Sequence, residues 1–149
     1  MDLIDLADEA GGRCTVRVTG RFEPGVLSGH DVLRARVIVS SNGIQDELAL
    51  FLLPQDLDEW QDALDEGLGV GSTVVIAGDR GPGIGLRVQR NRRVAVRVHE
   101  TDRLDVVMKF PIEAGWVDDL RQRLEGVRRA WPREVVQTTP GTYEWSPDR

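Results

Sequence analysis

The sequence predicts an α+β domain: antiparallel β-sheet of about seven strands, arranged as a sandwich or half-barrel, with one helix in mid-chain and one near the C-terminus. Three observations point there. Most of the chain alternates apolar and polar residues with the two-residue period of a strand that has one buried face. Two segments carry apolar residues at helical spacing instead. Each helix follows a run of strands and does not alternate with single ones, which separates this pattern from a doubly wound α/β fold.

After a short leader, Cys14, Val16 and Val18 alternate with Arg13, Thr15, Arg17 and Thr19. A loop over 21–31 contains Pro24, Gly25 and Gly29, and Leu33, Ala35, Val37 and Val39 then alternate with Arg34, Arg36 and Ile38. Asn42-Gly43 separates this second strand from the run Leu48 to Leu53. That dipeptide suits a tight primed turn, which needs positive φ at both central residues, so the two strands should pair antiparallel. Asp56 and Glu59 have the spacing of a capping pair just past Pro54. Leu57, Trp60, Leu64 and Leu68 follow at helical spacing until Gly67 and Gly69 close a helix of about three turns.

Four more strands are read at 73–77, 84–88, 94–98 and 104–110, with a glycine-rich turn over 78–85 and a polar turn around Asn91. The last helix places Trp116, Leu120, Leu124, Val127 and Trp131 on one stripe. Asp118 and Asp119 lie in its first turn and Arg128 and Arg129 in its last, which complements the helix dipole, and Pro132 stops it. Residues 1–131 are thus read as one domain. Residues 132–149 are read as a C-terminal arm, either extended on the body or partly disordered, with Tyr143 and Trp145 as its large apolar groups. No internal repeat is evident.

Composition narrows the function. The chain has 149 residues, 40% hydrophobic and 30% charged, with a formal net charge of −6. At this length a domain buries roughly 68–70% of its unfolded surface and needs neither metal nor disulfide to fold. One cysteine excludes an internal bridge. No apolar run is long enough for a membrane span, and the acidic start Met1 to Leu6 is unlike a signal peptide, so a cytoplasmic setting is expected. Net negative charge disfavours nucleic acid as the main ligand, since backbone binding needs a basic footprint. Lys109 is the only lysine among 19 basic residues. GC-rich coding explains this, as would selection of planar guanidinium forks.

Candidate chemistry is sparse. Cys14 lies on an apolar strand face and reads as a small buried hydrophobe. His30 reads as a loop histidine, and since neighbours on extended chain point opposite ways, Asp31 does not orient it. His99 reads as a solvated strand end. These three residues lack the ligand spacing of a zinc site, and no acidic loop resembles a calcium loop. The glycine cluster at 78–85 joins two strands where a phosphate cradle would open a helix, and no Lys-Ser/Thr follows. Neither a cofactor nor a metal is expected.

Surfaces say more. The first helix carries Asp56, Asp58, Glu59, Asp62, Asp65 and Glu66 and no basic residue, so a strongly negative exposed face is expected. Such a face either solubilises the protein or docks a basic partner. The wet strand faces carry Arg34, Arg36, Arg93 and Arg97, among others, which would make a positive patch if they shared one sheet.

Several stretches resemble an uncharacterised family of small actinobacterial proteins, over nearly the whole chain. They are Met-Asp-Leu-Ile-Asp-Leu-Ala-Asp (1–8), Arg-Phe-Glu-Pro-Gly-Val-Leu-Ser-Gly-His-Asp-Val-Leu-Arg-Ala (21–35), Leu-Asp-Glu-Trp-Gln-Asp-Ala-Leu (57–64), Gly-Trp-Val-Asp-Asp-Leu (115–120) and Ala-Trp-Pro-Arg-Glu-Val-Val (130–136). The order of strands and helices, with Leu-x-x-Trp-x-x-x-Leu at 57–64 and Trp-Pro at Trp131, is more remotely similar to WapI-type immunity proteins of polymorphic toxin systems. The resemblance implies a non-catalytic domain that neutralises a cognate toxin by binding it. On this reading the partner is another protein, such as a basic toxin domain, met through Asp58, Glu59, Asp62, Asp65 and Glu66, with the strand arginines as a second surface. Two other classes stand beside it: an accessory or scaffold protein of a bacterial gene cluster that takes a peptide by sheet-edge addition, and a carboxylate- or metal-dependent enzyme.

Overall fold

The computed structural model describes residues 1–79 and 81–149. Its first sheet is a four-stranded antiparallel meander of β1 (Asp2–Ala7), β2 (Arg13–Arg21), β3 (Leu33–Ser41) and β4 (Ile44–Leu52), in that spatial order. Helix α1 (Pro54–Asp65) leads to a second meander of β5 (Thr73–Ile76), β6 (Gly83–Gln89), β7 (Arg93–Glu100) and β8 (Leu104–Pro111). Helix α2 (Trp116–Ala130) follows, and a two-stranded hairpin of β9 (Val135–Thr139) and β10 (Thr142–Trp145) ends the chain. The class is α+β, with antiparallel pairing in every sheet.

Ten strands replace the seven expected. The leader is β1, held along β2, and the arm is the β9–β10 hairpin, turning at Pro140-Gly141. The order of elements also repeats without a repeat in sequence: a four-stranded meander and then a helix, twice.

Local chemistry sets each element. Asn42 and Gly43 adopt φ of 51° and 79°, the positive values a two-residue hairpin needs, and β3 and β4 pair without a register shift from Leu33↔Leu52 to Ser41↔Ile44. Asp56 is the third residue of α1 and not its cap. Leu53 is the cap, Pro54 takes the first helical position, and Asp56 Oδ2 accepts the Leu53 N–H at 2.7 Å. In the β5–β6 connection a Cβ on Gly83 would collide with the backbone of Gly78, so two backbones touch there. Arg80, in the same turn, lies outside the described residues.

Both sheets turn their apolar faces to one core. Val16, Val18, Val37, Leu50 and Leu52 of the first sheet join Ile84, Leu86, Val96, Val98 and Phe110 of the second. Trp60 and Leu64 of α1 and Leu120, Leu124 and Val127 of α2 complete the same cluster, with Trp116 and Trp131 packed against it from the ends of α2. The helix α2 lies against β1, and the edges of β1 and β8 approach each other. Trp60 is fully buried, its indole N–H without a partner among the described residues, so packing alone explains the residue. No helix among the described residues is long and apolar enough to cross a membrane.

Truncating the largest core side chain should therefore be severe. Trp60→Ala is expected to lower the unfolding free energy by about 3–5 kcal/mol, read from the urea midpoint at constant slope. A change below about 1 kcal/mol, the range of surface substitutions, would contradict its place in the core.

Candidate functional site

The loop between β2 and β3 organises the polar chemistry of the molecule. It begins at Arg21 and Phe22, folds back through turns around Val26 and Gly29, and ends on His30 and Asp31. His30 lies in this loop, as the sequence indicates, and its side chain is buried there. The Gly25 N–H donates to its Nδ1 at 2.8 Å, so Nδ1 is the acceptor and the ring proton sits on Nε2, which donates to Glu134 Oε2. Both ring nitrogens are therefore engaged in hydrogen bonds.

Asp31 works on the same partner segment. Its carboxylate accepts the N–H groups of Glu134 at 3.0 Å and Val135 at 2.8 Å, at the entry to β9. Arg21 bridges loop and tail, donating to Asp31 Oδ1 at 3.1 Å, the His30 carbonyl at 3.0 Å and the Pro132 carbonyl at 2.8 Å. The Trp145 ring meets His30 edge-on at 4.9 Å, and Arg149 stacks over Trp145 at 3.8 Å. Apart from Val135 the hairpin exposes nearly all its residues, so these polar contacts hold it down.

Two grooves flank the loop. One, of about 620 Å³, lies between the outer edge of β4 and the turns of the second sheet. Phe22 and Phe51 form its apolar floor, in edge-on contact at 5.0 Å, and Arg34 lies over the Phe22 ring at 5.4 Å. The other, of about 400 Å³, runs between the loop, the start of α1 and Tyr143 of the hairpin. Ser28, Val32 and Leu53 line both, so the two are continuous over that wall. Phe51, 46% exposed, is the large apolar side chain that β4 offers to this surface.

The residues singled out from sequence fall in three places. On α1, Asp58 is clamped by Arg128 at 3.1 Å and Arg133 at 3.5 Å, and Asp65 lies 4.0 Å from Arg121. Glu59, Asp62 and Glu66 keep no cation among the described residues, so the acidic face is narrower than the sequence suggested. Arg34 and Arg36 belong to β3, whereas Arg93 and Arg97 belong to β7 in the other sheet. They do not form one patch, and two are neutralised, Arg36 by Glu47 and Arg97 by Asp105, each at 2.8 Å. Burial, aided by the nearby Asp5 charge, pushes the Cys14 thiol up to about 12, which makes it inert. Among the described residues no group of three or more His, Cys, Asp or Glu side chains is arranged to hold a metal ion.

The described residues thus form an α+β fold in which a buried, hydrogen-bonded histidine pins the C-terminal hairpin beside a groove with an apolar floor. Residues 1–132 match the model of a family of unknown function (DUF5959), and the chain belongs to that family. No curated protein and no solved structure matches it.

The hairpin's attachment should depend on acidity. The His30 hydrogen bond holds the Glu134 carboxyl below the ordinary glutamate range, with the charges of Arg21 and Arg149 adding to the effect and desolvation opposing it. A lowered folded value means that docking gains stability which is complete above the unfolded value of about 4.5 and is lost as pH falls through the folded one. The Trp145 indole resonance should shift as the solution is acidified below that value, and Glu134→Gln should abolish this step. An acid transition at Trp145 that survives in the variant would assign it to another group.

Proposed function

We propose that the protein is a non-catalytic, cytoplasmic protein-binding domain of immunity type, which neutralises a cognate toxin by forming a complex with it. The observation that carries the protein-binding part is the groove along β4, where an apolar floor built on Phe22 and Phe51 lies open beside the edge of a sheet. Exposed aromatic surface of this kind is what a protein partner desolvates. The form of the partner follows from charge. Glu59, Asp62 and Glu66 leave one side of α1 negative, which suits a basic toxin domain and would speed its association. The remote similarity to WapI-type immunity proteins and an actinobacterial origin belong to the same proposal. An accessory or scaffold role in a gene cluster would use the same groove with a different partner.

Purification of the tagged protein from its native host, at low and then high salt, tests both parts. A basic partner retained in stoichiometric amount should be lost as salt rises. The triple variant Glu59→Lys, Asp62→Lys, Glu66→Lys should weaken that complex on the order of tenfold, about 1.4 kcal/mol. A partner retained equally by the variant would remove α1 from the interface, and recovery of the protein alone at every ionic strength would count against the protein-binding reading.

A further inference from the structure

The edge of β4 is closed at two points and open between them. In an antiparallel pair, alternate residues exchange hydrogen bonds with the neighbouring strand, while those between turn their N–H and C=O groups the other way. Two observations show which residues of β4 face away from β3. The Glu47 N–H donates to Asp46 Oδ1 at 2.7 Å, and the Leu53 N–H donates to Asp56 Oδ2 at 2.7 Å. Glu47 and Leu53 are six residues apart, in the same phase of the strand, so Ala49 and Phe51 also point their main-chain groups outward. Side chains cap the first and last of these amides. Ala49 and Phe51, between them, line the open groove, and no strand pairs with β4 on that side among the described residues.

We infer that Ala49 and Phe51 form a strand-addition slot for an extended segment of a partner protein, one that carries an apolar side chain flanked by lysine or arginine. This rests on the protein-binding reading above and names its site. Two outward residues present two donors and two acceptors, enough to fix the register of a short added strand, and the Phe22–Phe51 floor takes the side chain that faces it. Charge sets the flanks. Asp46 at one end of the slot and Glu23 on the groove wall at the other have no cation among the described residues. A second copy of this chain fits worse. Two β4 edges paired antiparallel about Leu50 would bring Asp46 of each copy towards Glu23 of the other, and opposed like charges are unfavourable.

The capping also explains why the edge is usable. Long, regular, unpaired edges invite indiscriminate pairing, and natural proteins shorten them. Here Asp46 and Asp56 cap the outward amides of Glu47 and Leu53, so the stretch between them offers only Ala49 and Phe51.

The test is selection of a displayed library of random dodecapeptides on the intact protein, followed by affinity measurements on the enriched peptides. Enrichment of apolar residues flanked by Lys or Arg is expected, with slowed amide exchange at Ala49 and Phe51 when such a peptide binds. Ala49→Pro removes one outward N–H and leaves the bonds to β3 untouched, as edge prolines do. It should weaken binding at least about tenfold while the thermal unfolding midpoint shows that the variant folds. Glu23→Lys, which leaves the backbone alone, should shift selection away from basic flanks. Peptides that bind Ala49→Pro as tightly as the parent protein would overturn the slot and leave the protein-binding reading standing. Failure to enrich any peptide would also overturn it. Concentration-dependent dimerisation abolished by Ala49→Pro would replace the peptide with a second copy.

Discussion

Two four-stranded meanders that each have a single apolar face can be stable only if those faces are buried together. At roughly 25 cal/mol per Å² of apolar surface removed from water, neither sheet alone offers enough to offset the backbone entropy lost in ordering it. The remaining features follow from that shared core. The helices sit where they complete it: α1 bridges the two meanders and brings in Trp60 and Leu64, and α2 lays Leu120, Leu124 and Val127 against β1. Because α1 must leave β4 at once to reach the core, no strand among the described residues lies along the outer edge of β4. The groove is thus a geometric consequence of where the first helix begins.

The outer faces obey a different constraint. Arginines on alternate positions of β2, β3 and β7 would repel one another across neighbouring strands, as Arg17 and Arg36 do in direct register. Carboxylates from the adjoining strands offset this. Arg13 takes both oxygens of Asp5, and Arg97 takes both of Asp105, in the two-pronged geometry that a guanidinium allows and an ammonium does not. These exposed pairs contribute little stability individually. Their effect is to cancel the positive charge of the sheets locally, so the uncompensated carboxylates of α1 and of the groove wall stand out.

Much of the fold was legible because alternation survives wherever one sheet face is buried. β2, β3, β6 and β7 show it cleanly, and both helices show their stripes. β1 escaped because Leu3 and Ile4 are both buried: a register shift between Asp2 and Ile4 puts consecutive residues inward and erases the two-residue period. The β9–β10 hairpin escaped for the opposite reason. It buries one residue and is held by polar contacts, so it has no hydrophobic pattern to read. The burial of the loop histidine His30 was not legible, because its partner, Glu134, lies 104 residues away and nothing local requires them to meet. The charged residues chosen from sequence were placed on the right elements, but their pairing was invisible. Asp58 looks as free as Asp62 until α2 brings Arg128 beside it.

The loop over 22–32 connects the two halves of the site. One side of it is fixed to the C-terminal hairpin through His30, Asp31 and Arg21, and the other side supplies Phe22 and Glu23 to the groove beside β4. It has few apolar anchors of its own, and Val26 at its tip is 48% exposed. A segment with little buried surface is held only as firmly as its polar contacts hold it. The hairpin thereby supports the wall against which a bound strand would press. This gives the buried histidine–carboxylate cluster a physical role: the tail's few strong hydrogen bonds keep the loop beside the β4 groove in one place.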